Sequence, residues 1–253
     1  MRILLSIALL VSSFIGYSAD NTFYNDLVEK GNAAYEAEQY DSAITLYSQT
    51  VNANFQSTSL FFNLGNAYYK SNQLAPAIFY YEKALKLSPN SPDIKFNLKM
   101  ANSQITDKVA EKPVPISTQV YQSVSSLLSS NGWGILVLVL LTLALGFLAV
   151  YLISANSSIK QLSFFGAMGL FLLFLLSFAL GNRVKAELIT KDQGIVFTST
   201  LNVKSEPKLS SSVLFVIHEG TKVNVLETQQ DWHRIALPDG NEGWVQSVDI
   251  QSF

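Results

Sequence analysis

The chain's hydrophobic pattern is dominated by two adjacent apolar runs. No charged residue occurs between Lys112 and Lys160. Within that gap, the 22 residues Trp133–Ser154 are apolar around every helical face. At 1.5 Å per residue they would make a helix of about 33 Å, matching a hydrocarbon core of roughly 30 Å. A polar turn, Ala155–Gln161, precedes a second uncharged run, Leu162–Gly181. In lipid every backbone N–H and C=O must be satisfied within the segment, so both runs are expected to be helices. A buried hairpin in a soluble protein would show a polar stripe on its outer side, and neither run has one. The pattern predicts a two-helix transmembrane hairpin over 133–154 and 162–181, joined by a turn at 155–161. Soluble modules are expected before residue 132 and after residue 186.

A third apolar run opens the chain. Met1–Ala19 has one Arg, then an apolar stretch, then small residues, the pattern of a secretory signal. Cleavage is compatible with Ser18 or Ala19, and an uncleaved N-terminal anchor is the alternative. In either case the module that follows is delivered across the membrane.

Residues 24–91 repeat themselves with a period of 34. Lys30-Gly31-Asn32-Ala33-Ala34-Tyr35 aligns with Leu64-Gly65-Asn66-Ala67-Tyr68-Tyr69, and the same offset carries Ala43 onto Ala77 and Tyr47 onto Tyr81. Small residues at matched positions let paired helices approach, and the aromatics fill the remaining gaps. The period, with Gly, Ala, Tyr and the closing Pro89, resembles the tetratricopeptide repeat. Copies are expected at 24–57 and 58–91, the first of them looser, with Phe55 where the closing Pro would stand. Ser91 and Pro92 then form a helix start, and Ile94, Leu98, Ala101 and Ile105 recur on one face. A capping helix is therefore expected over 92–105. Two repeats and a cap are fewer than the three units such stacks usually need, so support from a dimer or a partner is expected.

In that family the first helices of each repeat line a groove for extended peptides. By register, the resemblance places Val28, Asn32, Tyr35, Phe62, Asn66, Tyr69 and Phe96 in the groove. An Asn amide both donates to and accepts from a peptide backbone, and aromatics hold apolar side chains. Tyr35 and Tyr69 serve equally well as solenoid packing, whereas Asn32 and Asn66 point more to a ligand. Versions of the family that grip a C-terminal carboxylate use Lys and Arg where this chain has Val28 and Asn97, so that specificity is not expected. Charge is lopsided along the module: residues 20–57 hold six acids and one Lys, residues 58–101 five Lys and two acids.

Residues 106–132 form a linker. Pro113 and Pro115 favour an extended spacer, and Gln119–Ser130 is an uncharged, mildly amphipathic stretch suited to the headgroup region. After Arg183 and Lys185 the composition becomes soluble again. Short β-rich runs include Val213–Ile217, Val223–Leu226 and Trp232–Leu237, and Pro238-Asp239-Gly240-Asn241 is a strong hairpin turn. Five or six strands at this spacing argue for a small all-β barrel over 187–253. Its Leu201–Pro207, Glu219–Val223 and Asp239–Val245 segments resemble the bacterial SH3-like domain, with Lys204 and Glu206 departing from the usual Arg and Gly. Trp232 and Trp244 are the candidate ligand face, although Trp244 is also expected as barrel core. His233 shares a strand face with Ile235 and Leu237, and His218 falls in a turn.

Composition narrows the chemistry. A net charge of −2 gives no basic surface for nucleic acid. With no cysteine there are no disulfides, thiolate nucleophiles or cysteine metal sites. The chain lacks HExxH, GxSxG, P-loop and dinucleotide-binding signatures, and the apolar runs contain no ionisable group of the kind transporters use. No enzyme activity, cofactor or metal is therefore expected.

The order of signal, tetratricopeptide repeats, two-span hairpin and SH3-like barrel resembles the BatE-type proteins of the bacterial aerotolerance (Bat) operon. That resemblance implies an inner-membrane scaffold with both modules in the periplasm. Its implied partners are von Willebrand A-type Bat proteins and a MoxR-type ATPase, in a complex responding to envelope stress. A different class remains open, a cell-wall sensor whose barrel binds peptidoglycan.

Overall fold

A computed structural model describes residues 19–108, 115–190 and 192–253. Of the expected signal segment only Ala19 is among them. Residues 109–114 of the linker also lie outside the described residues.

Five helices build the first module: α1 (Ala19–Glu36), α2 (Tyr40–Asn52), α3 (Thr58–Lys70), α4 (Leu74–Leu87) and α5 (Pro92–Gln104). Their starts follow local chemistry. Ser57 Oγ accepts from the Leu60 N–H and Ser91 Oγ from the Ile94 N–H, with Pro92 at the first helical position. The turns repeat with the sequence: Glu38 and Asn72, 34 residues apart, take φ of 59° and 60°, each ending the first helix of its pair. Both helix pairs therefore bend alike, although the first copy is the looser in sequence. Leu60, Leu64 and Ala67 of α3 pack on Ala43 and Tyr47 of α2. Phe61 on the other side of α3 joins Ile78, Tyr81, Ile94 and Leu98 in a second core.

Helix α6 (Ile116–Ser125) follows Pro115, and two long helices come next, α7 (Ser130–Ile153) and α8 (Ser157–Thr190). Both are long and apolar enough to cross a membrane, and only 6% and 0% of their most apolar windows are buried within the protein. A core hairpin of a soluble fold would bury much of that surface. The connection is shorter than the expected 155–161, because Asn156 Oδ1 accepts from the Ser158 and Ile159 N–H groups and starts α8 at Ser157. At its other end α8 continues past Gly181 to Thr190, so the strands begin at Gln193 and not at 187. Helix α6 starts earlier than the expected Gln119, since proline is tolerated at a helix start but not inside one. It is tied to the hairpin by the Trp133 indole N–H, which donates to Ser125 O at 3.0 Å. The Arg183 guanidinium also lies 4.5 Å from the Tyr121 ring centroid.

The C-terminal module is one antiparallel sheet ordered β3-β2-β6-β5-β4-β1-β7. Its strands are β1 (Gln193–Val196), β2 (Thr200–Lys204), β3 (Val213–His218), β4 (Lys222–Gln229), β5 (Trp232–Ala236), β6 (Glu242–Gln246) and β7 (Ile250–Ser252). Alternation places Val196, Val203, Ile217, Val223, Ile235 and Val245 inside. The β5–β6 turn is closed by the Gly240 N–H to Leu237 O at 2.8 Å, with Gly240 at φ +88°.

The two modules are packed together, which the sequence did not disclose. Phe79 of α4, 3% exposed, meets the rings of Phe197 and Phe253 edge-on at 5.9 and 5.8 Å. Ile195 of β1 belongs to the same buried cluster as Ile78 and Ile94. Polar contacts border this seam. Lys222 Nζ is 2.8 Å from Glu82 Oε2, and Lys86 Nζ donates to Phe253 O at 2.6 Å. Asp107 Oδ2 accepts from the His218 N–H (2.6 Å) and the Thr221 hydroxyl (2.7 Å), while Asp107 Oδ1 lies 2.9 Å from His218 Nδ1. The short helical stack thus gains its additional neighbour from its own C-terminal barrel. The expected dimer or partner is not needed to cover this face.

Candidate functional site

The 34-residue period builds the same polar unit twice. Asn32 follows Gly31 on α1, and an added Cβ on Gly31 would lie 2.5 Å from the Tyr47 ring. Glycine lets that ring lie flat on the helix, where its hydroxyl donates to Asn32 Oδ1 at 2.7 Å. Asn63 Nδ2, from the next repeat, donates to the same oxygen at 3.1 Å. One period on, Gly65 stands 2.7 Å from the Tyr81 ring by the same measure. The Tyr81 hydroxyl donates to Asn66 Oδ1 at 2.7 Å, and Asn97 Nδ2 donates at 2.8 Å.

Each asparagine oxygen is therefore committed to the scaffold. Among the described residues the Nδ2 groups of Asn32 and Asn66 have no acceptor, which leaves two donors beside one cleft. Burial pushes the Tyr47 hydroxyl up to about 12, and burial likewise raises Tyr81. Both phenols stay neutral donors across physiological pH, so they hold the amides in one orientation. Asn32, Asn63 and Asn66 share a cleft of about 270 Å³ with Tyr35, Glu36 and Tyr47.

The other expected groove residues divide by role. Tyr35 lines the cleft and also packs edge-on to Tyr40 at 5.4 Å. Val28 packs on the first core. Phe62 leans on Tyr81, 5.9 Å between centroids. The Tyr69 hydroxyl accepts from Gln104 Nε2 at 2.5 Å. Phe96 is 64% exposed and is not among the cleft's lining residues. Sequence reasoning missed Asn63 and Glu36 altogether, and read Asn97 only as a lost Arg. The signal was available, since Asn63 maps onto Asn97 at the same offset of 34.

On the barrel, Trp244 is not core. Gly243 and Val245 are the buried positions of β6, so Trp244 points to the opposite side and is half-buried. Directly opposite it stand Arg234 of β5 and Lys204 of β2. Trp232, opposite Gln246, is its diagonal neighbour on the same outer face. Arg234 is held by Glu227 at 3.4 Å and Glu242 at 3.5 Å. His233 reaches Thr228 Oγ1 at 2.9 Å. Among the described residues no group of acidic or histidine side chains is placed to hold a metal ion.

Comparison with known families finds a tetratricopeptide repeat at residues 59–91 and a bacterial SH3 domain at residues 199–251. Comparison with curated proteins finds no match. Among solved structures, the chain is similar to a Bacteroides ovatus ATCC 8483 protein described as a candidate protein-binding protein. The identity is 18%, over 66% of this chain and 88% of that one, with a TM-score of 0.23.

Proposed function

We propose that this chain is a membrane-anchored, non-catalytic adaptor that holds an extended protein segment in the cleft between its repeats. The observation that carries the reading is the pair of Asn amides, fixed by buried tyrosines through their oxygens and lining one cleft. An extended backbone offers carbonyl acceptors at regular spacing, and Tyr35 and the exposed Phe96 supply apolar surface beside that path. The two apolar helices act as the anchor, and α6 lies in the headgroup layer. The barrel rests against the repeats and completes the adaptor's rigid body. By resemblance of module order, the reading places the adaptor in a Bat-type envelope complex of the inner membrane. There it faces the periplasm and von Willebrand A-type and MoxR-type partners.

The test separates scaffold from ligand chemistry. Asn66→Asp retains an oxygen acceptor for Tyr81 and Asn97 while deleting the free donor. In nanodiscs, the Asn32→Asp/Asn66→Asp double variant should keep its helical circular dichroism. It should also lose about tenfold or more affinity for peptides selected from a random library on the wild-type chain, at about 1 kcal/mol per hydrogen bond. Unchanged affinity would remove the cleft from the binding site.

A second reading rests on Trp244 lying outside the barrel core. Trp232 and Trp244 form an aromatic face, the kind of surface that stacks on the sugar rings of peptidoglycan. Retention of the chain on purified sacculi, abolished by Trp244→Ala, would favour this cell-wall sensor over the adaptor.

A further inference from the structure

The α7–α8 hairpin carries a cleft at the end nearest the soluble modules, and it combines two chemistries along its length. On α8, Phe178, Asn182 and Lys185 are spaced i, i+4 and i+7, so they share one face. On α7, Asn131 and Leu138 are likewise seven residues apart. These side chains and Trp133 border one cavity of about 650 Å³ between the helices. Trp133 is 6% exposed and its Cβ lies 3.2 Å from where a Cβ on Gly181 would be. The two helices are thus in contact at the floor, and the cleft opens outward.

Its levels match a bilayer boundary. Lys185 stands about 10 Å along the helix from Phe178. Asn131, Asn182 and Lys185 lie beyond the uncharged runs, whereas Leu138 and Phe178 lie within them. Among the described residues, the one charged side chain lining the cleft is Lys185. Arg183, two residues away, is turned to the Tyr121 ring of α6.

We propose that this cleft is a binding site for one anionic glycerophospholipid. The phosphodiester and its net negative headgroup meet Lys185 and the amides of Asn131 and Asn182. One acyl chain lies in the cleft between Leu138 and Phe178. An acyl chain fits the narrow apolar half, and a single cation above it selects a headgroup with net negative charge over a zwitterionic one. This inference rests on the membrane reading of the two helices.

The full-length protein, solubilised in detergent and given equal amounts of phosphatidylglycerol and phosphatidylcholine, is examined by native mass spectrometry. The wild type should retain phosphatidylglycerol about fivefold over phosphatidylcholine, the preference that one well-placed lysine supplies near a membrane surface. Lys185→Gln should bring that ratio near one. Lys160→Gln removes the same charge at the far end of the hairpin and should leave the ratio unchanged. An unchanged ratio in Lys185→Gln, or an equal loss in Lys160→Gln, would overturn the site. Membrane insertion is checked separately by alkaline carbonate extraction. Release of the chain into the aqueous fraction would sink the membrane reading and the site together, whereas a retained chain with no lipid preference sinks the site alone.

Discussion

Replacing Asp107 with Ala probes the seam between the repeats and the barrel. One carboxylate oxygen accepts from the His218 N–H and the Thr221 hydroxyl, and the other faces the His218 ring. Hydrogen bonds to a charged group contribute about 1.5–3 kcal/mol each. Thr221 is 2% exposed, so its hydroxyl would lose a partner in a nearly dry place. The Asp107 side chain is 16% exposed, which lets water replace part of what is lost. Each of the three contacts therefore falls to about the value of a neutral hydrogen bond, ~1 kcal/mol, and the total comes to about 2–4 kcal/mol. Asp107→Asn keeps an acceptor oxygen and should cost about half as much. Hydrogen exchange on the full chain in nanodiscs reads this directly. Protection of the His218 amide should fall roughly 30- to 1,000-fold in the Ala variant, at tenfold per 1.4 kcal/mol. Protection at Val245, inside the barrel, should change far less. A His218 amide that stays within threefold of wild type would refute the claim that Asp107 holds the seam.

The same carboxylate sets a pH dependence. Burial acts to raise its pKa, but the hydrogen bonds from the His218 ring, Thr221 and the His218 backbone together outweigh burial and hold it below the ordinary carboxylate value. A group with a depressed folded pKa contributes its stability above the unfolded pKa and loses it as pH falls through the folded one. The Asp107 contribution should therefore be constant near neutrality and fade only below about pH 4. In Asp107→Asn that part of the acid-induced loss of His218 protection should disappear.

Two further predictions concern the repeats and the anchor. Gly65→Ala would place a methyl 2.7 Å from the Tyr81 ring, a clash between buried groups that should lower stability by about 1–3 kcal/mol, measured as a shift in thermal midpoint; no shift would mean the helices are not held at this distance. An alkaline phosphatase fusion after Phe253 should be active and one at Ser157 inactive if both modules face the periplasm, and the reverse pattern would overturn that orientation.

The repeats were legible because their period is long and shared. Gly31/Gly65, Asn32/Asn66 and Tyr47/Tyr81 recur at one offset, and a solenoid maps that offset directly into space. The apolar helices were legible from length and charge alone. Trp244 was misjudged because a large aromatic suggests core, yet its neighbours decide the matter: Gly243 faces inward where a Cβ would lie 2.4 Å from Val203, so the tryptophan must face out. Strands β1 and β7 escaped notice for a different reason. Gln193–Val196 follows a helix with almost no turn, and Ile250–Ser252 is only three residues long, so neither shows periodicity. The seam was illegible in principle. Asp107 sits in a linker and His218 at the end of β3, 111 residues apart, and no local pattern pairs them.

The seam also bears on how many times the chain crosses the bilayer. The repeats end at residue 105 and the barrel begins at Gln193, with both apolar helices between them. Phe79 nonetheless packs on Phe197 and Phe253, and Glu82 pairs with Lys222. Those contacts require both modules to be on the same side of any membrane the chain enters. A single crossing, with the other apolar helix lying flat or folded into a soluble core, would separate them. Two crossings return the chain to its starting face, and the three-residue connection between α7 and α8 is short enough to force the helices antiparallel. The packed seam therefore supports an even number of spans between the two modules, independently of hydropathy and of which face the signal segment selects. It also limits how a bound segment could be sensed. A ligand in the asparagine cleft acts on α1 and α3, and α3 shares a buried core with α4, the helix against which the barrel rests. Displacement of α4 would be felt first at Phe197 and Phe253, and β1 continues within two residues into α8. The path from cleft to barrel runs through packed side chains and reaches the anchor through the chain itself, so Asp107→Ala should weaken any coupling between peptide binding and the hairpin before it weakens binding itself.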